Sequence, residues 1–357
     1  MDCKHIKSEF LLRLTMENWK RQESHAKKTF WPTDCLKPAC ELYWKFTNKP
    51  ETDQIQPEKL LMFKAASAYE HEIIRNLVAI GEAIDIENAE LVNKITDFGL
   101  NVIQRDGDVP QIRLEMEREF VQITGYLDGV TPEGNPIEVK SYYSSKVDSE
   151  LAKGLPPAEQ YLHQLAVQMD FLGTLKGILV SVNRSTGNIF FSELRRESTD
   201  SLVFMIGEQT TAAIETDEYE VSGSNDYFVG QVTQFDLGLE YKRWRTLMED
   251  NVLTLKEPPL DYEYRATITN RLLDNYPEEK VKKAIKGERI LSDHRWQPQY
   301  SNYKTLWAET EAKQKGFASV SELCAYSESD IETMMNWGNW EWKIDKNGKR
   351  KLFKRKG

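Results

Sequence analysis

The 357-residue chain contains no run of about 18 apolar residues, the length a membrane-spanning helix needs. Its N-terminus, MDCKHIKSEF, lacks the basic-then-apolar pattern of a secretory signal. Both absences argue against membrane insertion and secretion. Cysteine is scarce: Cys3, Cys35, Cys40 and Cys324 are scattered, which suits a reducing cytoplasm, the cell's own or that of a host if the protein is viral. No internal repeat or low-complexity tract stands out. Positive charge is also short, with a net charge of −10, which excludes nonspecific coating of nucleic acid as a mode of action. What is present is 40% apolar and 11% aromatic content, ample for a folded core in one large domain or two.

The most informative segment is GYLDGVTPEGNPIEVK, residues 125–140. Asp128 and Glu138 are equidistant from Glu133, which lies in the turn-forming run Pro132-Glu133-Gly134-Asn135, so a hairpin centred there sets the two carboxylates opposite each other. Side chains alternate along a strand, so Lys140 shares the face of Glu138, while Leu127, Ile137 and Val139 point the other way as a core face. Two carboxylates alone in a pocket repel, and one stays protonated. A divalent cation removes that penalty and takes both as hard oxygen ligands, with Mg²⁺ or Mn²⁺ the natural choice. Such an ion activates water near neutral pH, and a lysine beside it stabilises charge on a scissile phosphate. Partial burial or the nearby cation would lower the pKa of that lysine.

At these residues the chain resembles the PD-(D/E)xK nuclease superfamily, with Asp128 and Glu138-Val139-Lys140 standing for its Asp and Glu-x-Lys. AEQYLHQLAVQMDFLG, residues 158–173, is similar to the helix that follows the catalytic strands in the RecB-like branch. Gln164 takes the place of that helix's glutamine, with Tyr161 one turn earlier and Gln160 and Gln168 on the same stripe as substitutes. Residues 67–72, SAYEHE, resemble the branch's helical motif, in which a glycine stands four residues before a histidine that is followed by glutamate; here Ser67 replaces the glycine. The resemblance covers residues 32–183. It implies that His71 is a further metal ligand, with Glu72 as the fallback, that the Val139 carbonyl is another, and that the fold is a mixed central sheet flanked by helices. Some relatives hold an iron-sulfur cluster on one N-terminal and three C-terminal cysteines. Only Cys324 stands in the C-terminal half here, so no cluster is expected.

Along the chain the expected organisation has three parts: 1–56, a helical segment rich in aromatics; 57–235, the restriction-endonuclease-like α/β core; and 236–357, a mainly helical accessory region ending in a basic β-hairpin. Within the core, a helix is expected over 57–80, strands in ITDFGLNVI, QIRLEMEREF, VQITGYLDGV and NPIEVKSY as an antiparallel meander, a hairpin from LKGILVSVN to NIFFSEL, and a helix over 198–214. Residues 144–157 read as a mobile loop over the substrate, where Lys146 and Lys153 meet phosphates. The last fifteen residues hold eight Lys or Arg and one Asp, so residues 1–342 carry −17. This tail, with Lys349, Arg350 and Lys351 past an Asn347-Gly348 tip, is either a folded basic ribbon that contacts nucleic acid or a solubilising end. Trp296, Tyr300, Tyr303 and Trp307 read first as core and second as a surface for unpaired bases.

The expected activity is a divalent-metal-dependent deoxyribonuclease, an exonuclease acting on DNA ends or single strands in replication, recombination or repair, with a possible partner protein from those processes. A structure-specific endonuclease of the same fold and a catalytically silent nucleic-acid-binding subunit are the alternatives.

Overall fold

The computed structural model describes residues 13, 29–53, 57–86, 101–103, 111–152, 157–211, 226–227, 234–261, 268–274, 276–288, 291, 301–346 and 348–355. In chain order the elements are α1 (Ala39–Phe46), α2 (Pro57–Ala79), β1 (Asn101–Ile103), β2 (Gln111–Arg118), β3 (Val121–Leu127), β4 (Gly129–Val130), β5 (Pro136–Tyr142), α3 (Ser145–Leu151), α4 (Glu159–Leu172), β6 (Lys176–Asn183), β7 (Ile189–Arg195), β8 (Val203–Thr211), β9 (Asp226–Tyr227), β10 (Gln234–Asp236) and α5 (Leu237–Thr246). There follow α6 (Asn270–Leu273), α7 (Glu278–Ile285), α8 (Lys304–Gln314), α9 (Val320–Leu323), α10 (Glu328–Trp337), β11 (Trp340–Ile344) and β12 (Arg350–Lys354). Among the described residues no helix is long and apolar enough to cross a membrane.

Two compact units form: Met1–Leu36 with Ile55–Lys256, and Lys37–Gln54 with Glu257–Gly357. These bounds differ from the three expected segments. Helix α5 joins the first unit because Tyr241 and Trp244 are fully buried there, Trp244 stacking on Phe30 at 4.6 Å between ring centroids. Helix α1 joins the second because Trp44 packs on Tyr303 and Trp307.

The first unit is α/β, with a central mixed sheet in the order β10-β8-β7-β6-β5-β4, β9 pairing with β8, and a separate three-stranded sheet β1-β2-β3. Strands β5 and β6 are parallel and joined through α4, while the other pairs are antiparallel. Residues 136–139 are buried on both faces, as a central parallel strand requires. Odd positions Ile137 and Val139 face Ile73, Ile74 and Leu77 of α2. Even position Glu138 faces Gln164 and Gln168 of α4, so the two helices cover opposite faces.

Two expectations fail. Residues 198–211 do not form the helix expected over 198–214, whose last three residues lie outside the described ones: Ser198-Thr199-Asp200 mimics a helix start, but Phe204 and Ile206 alternate with more exposed Val203 and Met205, and the stretch pairs with β7 as β8. Nor is 144–157 a plain loop, because the Ser144 hydroxyl caps α3 at the Val147 N–H and Leu151 buries its side chain. Asp148 ties this helix down by accepting hydrogen bonds from Tyr142 Oη at 3.0 Å and Asn188 Nδ2 at 2.5 Å.

In the second unit, Trp44, Tyr303 and Trp307 form one core, so the latter two serve packing; Trp296 and Tyr300 lie outside the described residues. A second cluster gathers Leu273, Val281, Met334 and Trp340. The terminal hairpin β11–β12 pairs Trp342 with Leu352 and turns at Gly348, as its alternation suggested; Asn347 is outside the described residues.

One buried ionic network fastens α4 in place. Asp170 accepts from Arg118 at 2.8 and 3.1 Å and from Tyr241 Oη at 3.0 Å, and the buried Arg196 guanidinium lies 3.5 Å away, donating also to the Thr174 and Met169 carbonyls. Removing Asp170 strands a buried cation. Asp170→Ala is therefore expected to lower the unfolding free energy in urea by about 3–5 kcal/mol, against about 0.5 kcal/mol or less for Arg195→Ala on the surface. A loss below about 1 kcal/mol for Asp170→Ala would show that the network does not hold the helix.

Candidate functional site

The site begins where the backbone changes sheets. Leu127 ends β3, paired with Ile112 in the small sheet, and Gly129 begins β4, paired with Ile137 in the main sheet. Asp128 is the single residue between them. The pairs Gly129↔Ile137 and Val130↔Pro136 continue the register that sets Asp128 against Glu138, as parity predicted. The Asp128 carboxylate then replaces the next ladder acceptor, its Oδ2 receiving the Val139 N–H at 2.8 Å. Because the N–H and C=O of one strand residue leave the same edge, the Val139 carbonyl also leaves β5 on the Asp128 side. Gly129 makes the crowding possible, since a Cβ there would lie 2.8 Å from Ile74 Cδ1 of α2.

Glu138 is 1% exposed, an expensive position for a carboxylate unless its lone pairs are filled. Helix α4 supplies one donor to each oxygen: Gln164 Nε2 donates to Oε1 at 2.6 Å and Gln168 Nε2 to Oε2 at 2.5 Å. The two glutamines are four residues apart, one helical turn, so a single helix face grips both oxygens. Lys140 ion-pairs with Glu138 Oε1, and its Nζ lies 5.7 Å from the Tyr161 ring centre. Gln168, which the sequence offered only as a substitute, is thus an equal partner of Gln164. Gln160 instead donates to the Thr33 carbonyl.

Helix α2 brings a residue that the sequence reading passed over. Glu70 accepts from the Ser141 hydroxyl at 3.3 Å and interacts electrostatically with Lys140 and Glu138. No described contact joins its neighbour His71 to Asp128 or Glu138, while Glu72 turns outward to pair with Arg75. The motif's histidine drew attention to position 71. The available signal for Glu70 was its spacing of four and seven from Ile74 and Leu77, which face the sheet.

Electrostatics within the group are strained. Burial, then the charge of Asp128, push Glu138 up to about 7, against the pull of Lys140 and Gln168. Burial raises Asp128 to about 6, opposed by Lys140 and the Val139 N–H and reinforced by Glu70. Burial and Glu138 likewise raise Glu70. Lys140 departs from the expected lowering: burial pulls its pKa down, but Glu138 and Asp128 outweigh it and hold the ammonium charged. Three carboxylates and one ammonium amount to a formal −2 when all are ionised, the charge one divalent cation cancels. Among the described residues no three His, Cys, Asp or Glu side chains converge as a ready-made metal group. The donor set nonetheless fits a hard cation, since Asp128 and Glu138 are joined by the Val139 carbonyl edge, by Glu70, and by the buried Gln168 Oε1, which has no hydrogen-bond partner.

The remaining candidates belong to other elements or fall outside the described residues. Lys146 projects from α3, paired with Glu150 at 3.6 Å, and Lys153 lies outside the described residues. In the second unit Arg350 stacks over Trp342 at 4.7 Å, Lys351 pairs with Asp345 at 2.7 Å, and Lys349 stands at the turn.

No family model matches the chain, and no curated protein matches it. Among solved structures it is similar to the one described as "Crystal structure of SSO0001", with 12% sequence identity and a TM-score of 0.38 over 84% of this chain and 95% of that one. A likeness of that size says nothing about activity.

The raised carboxylates predict a pH dependence. Their folded pKa values, about 6 and about 7, exceed the ordinary 3.8 and 4.5, so the protonated pair stabilises the fold fully below pH 3.8 and this contribution is lost as pH rises through 7. In chelator-treated buffer, the melting temperature should fall between pH 5 and pH 8 by an amount worth a few kcal/mol, and less so in Glu138→Gln. Parallel pH curves for the two proteins would refute the coupling.

Proposed function

We propose that this protein is a divalent-metal-dependent deoxyribonuclease, an exonuclease acting at DNA ends or on single strands in replication, recombination or repair. The observation that carries this reading is the electrostatic grouping of Asp128, Lys140 and Glu70 with the buried Glu138 at β5, with an excess of negative charge. Asp128 and Glu138 would hold Mg²⁺ or Mn²⁺, with Glu70 and the Val139 carbonyl beside them. When bound, the ion supplies a Lewis acid for the phosphate and lowers the pKa of water.

The chain's own groups do the positioning. Gln164 and Gln168 lock the plane of the Glu138 carboxylate, and the Val139 N–H fixes the rotamer of Asp128. Lys140, kept charged by the two acids, is suited to neutralise a non-bridging phosphate oxygen as negative charge builds there. Its Nζ beside the Tyr161 ring lies at the more open end of the group, since the Lys140 side chain is 21% exposed while that of Glu138 is almost wholly covered. A phosphodiester would therefore reach Lys140 before Glu138.

The assay is hydrolysis of end-labelled linear single- and double-stranded DNA. Turnover is expected with Mg²⁺ or Mn²⁺ and none in EDTA, with Asp128→Asn and Lys140→Ala lowering kcat by about 10²-fold or more while circular dichroism is unchanged. Wild-type rates in both variants would overturn the reading, and cleavage of closed circles would reassign it to an endonuclease. Mn²⁺ titration calorimetry separates the helix ligands: Glu70→Gln is expected to weaken binding about tenfold or more and His71→Ala to leave it within about twofold. The reverse order would return the ligand role to His71.

A further inference from the structure

Beyond the carboxylates, three segments of the first unit are tied together by one residue. Arg184, just past β6, donates its backbone N–H to the Tyr142 carbonyl at 2.8 Å and its Nη1 to the Met62 carbonyl of α2 at 3.1 Å. Its guanidinium lies 3.9 Å over the Tyr143 ring, and Tyr69 Oη donates to its carbonyl at 3.5 Å. This arrangement adjoins the candidate site. Tyr69 precedes Glu70, Tyr143 follows Lys140 by three residues, and the Arg184 charge is felt at Glu70.

These rings are fixed but not covered. Tyr69 is 42% and Tyr143 49% exposed, and Met62 and Phe63 on the same half of α2 are 48% and 55% exposed. Met62 with Tyr69, and Phe63 with Glu70, are seven residues apart, so two adjacent helical stripes carry apolar surface up to the acidic group. One face of Tyr143 is held by Arg184, and the residue as a whole is half exposed. A surface meant for duplex DNA would display ammonium and guanidinium groups to phosphates, because a duplex hides its base faces. This one displays aromatic planes, and among its named residues a single cation, itself stacked. Every unpaired base can lie on such a plane.

We infer that Tyr69, Tyr143 and Arg184 form a base-stacking platform that receives an unpaired DNA strand and delivers its backbone to Lys140, which makes single-stranded DNA the substrate. The inference rests on the nuclease reading above and names the substrate of the same site. The platform reads no sequence, since stacking needs only a π-face. Arg184 has a positioning role, its guanidinium stacked on the Tyr143 ring.

The test is fluorescence anisotropy with the full chain in EDTA, using a short oligodeoxythymidylate, an abasic strand of equal length and a blunt duplex. The oligodeoxythymidylate is expected to bind about tenfold or more tightly than either of the others. Tyr69→Ala with Tyr143→Ala should remove that advantage and leave the abasic strand unaffected, while the corresponding Phe variants should retain it. Equal binding of the thymidylate and abasic strands, or wild-type thymidylate binding by the double Ala variant with an unchanged melting temperature, would overturn the platform. Adding Mn²⁺ separates the two readings. A strand bound through its bases yet left uncut overturns the nuclease and keeps the platform, whereas equal cutting of both strands by wild type and double variant overturns the platform alone.

Discussion

Glu138 is a buried carboxylate among the apolar residues Pro136, Ile137 and Val139 of β5. Its oxygens need several donors, and the protein provides two amides and one ammonium. That requirement sets the placement of α4, since glutamines one turn apart reach both oxygens only if the helix lies directly over β5. The Asp170 network, two residues past Gln168 on α4, then anchors the helix so that the glutamines cannot drift. A buried ion pair of that kind contributes little net stability compared with a hydrophobic substitute, but it permits few alternative arrangements. Fixing a helix is a use to which such specificity is suited.

Asp128 depends on the same strand from the opposite edge. A residue that links two sheets cannot stay in both ladders, so its side chain takes over the role of a backbone acceptor and binds the Val139 N–H. This places one acid on the edge of β5 and the other on its face, with Glu70 arriving from the helix beneath. Three acids from three elements therefore feel one another's charge, each held by a different hydrogen bond. Burial first, and then the charge of the neighbouring acids, raise Glu138 and Asp128 against the pull of Lys140. An assembly held this firmly and left this acidic is suited to receive a cation rather than to be stable alone.

Much of this was legible in the sequence because it rests on local periodicity. The hairpin register followed from the symmetry of Asp128 and Glu138 about Glu133, while α4 was expected from the family resemblance of residues 158–173; it ends at Gly173, which adopts a left-handed backbone at φ 63°. What stayed hidden depended on partners distant in the chain. Strand β8 begins with helix-start chemistry at Ser198 and becomes a strand only because β7 supplies a paired edge. Glu70 is indistinguishable from Glu72 until β5 defines which stripe of α2 faces inward. Helix α3 is too short for a strong periodic signal, and the contacts of Asp148 with Tyr142 and Asn188 hold it. The mixed central sheet flanked by helices was foreseen as a whole; the expected meander keeps its antiparallel pairs but divides at Asp128 between the small sheet and the main one.

The proposed reading has to account for an acidic protein meeting a polyanion. With −10 overall and −17 before the last fifteen residues, the chain cannot draw DNA to itself by net charge. Ring stacking offers attraction that does not depend on charge, and Tyr69 and Tyr143 are exposed next to the acidic group. A strand held there by its bases would carry its phosphates toward Lys140, the one cation the acids themselves keep protonated. The excess negative charge of the site then acts as a filter rather than a barrier, since a phosphate is repelled while Asp128, Glu138 and Glu70 are uncompensated and tolerated once a divalent ion balances them. Binding by bases and chemistry by metal are thereby separated in space, and the acidity of the centre makes the second conditional on the ion.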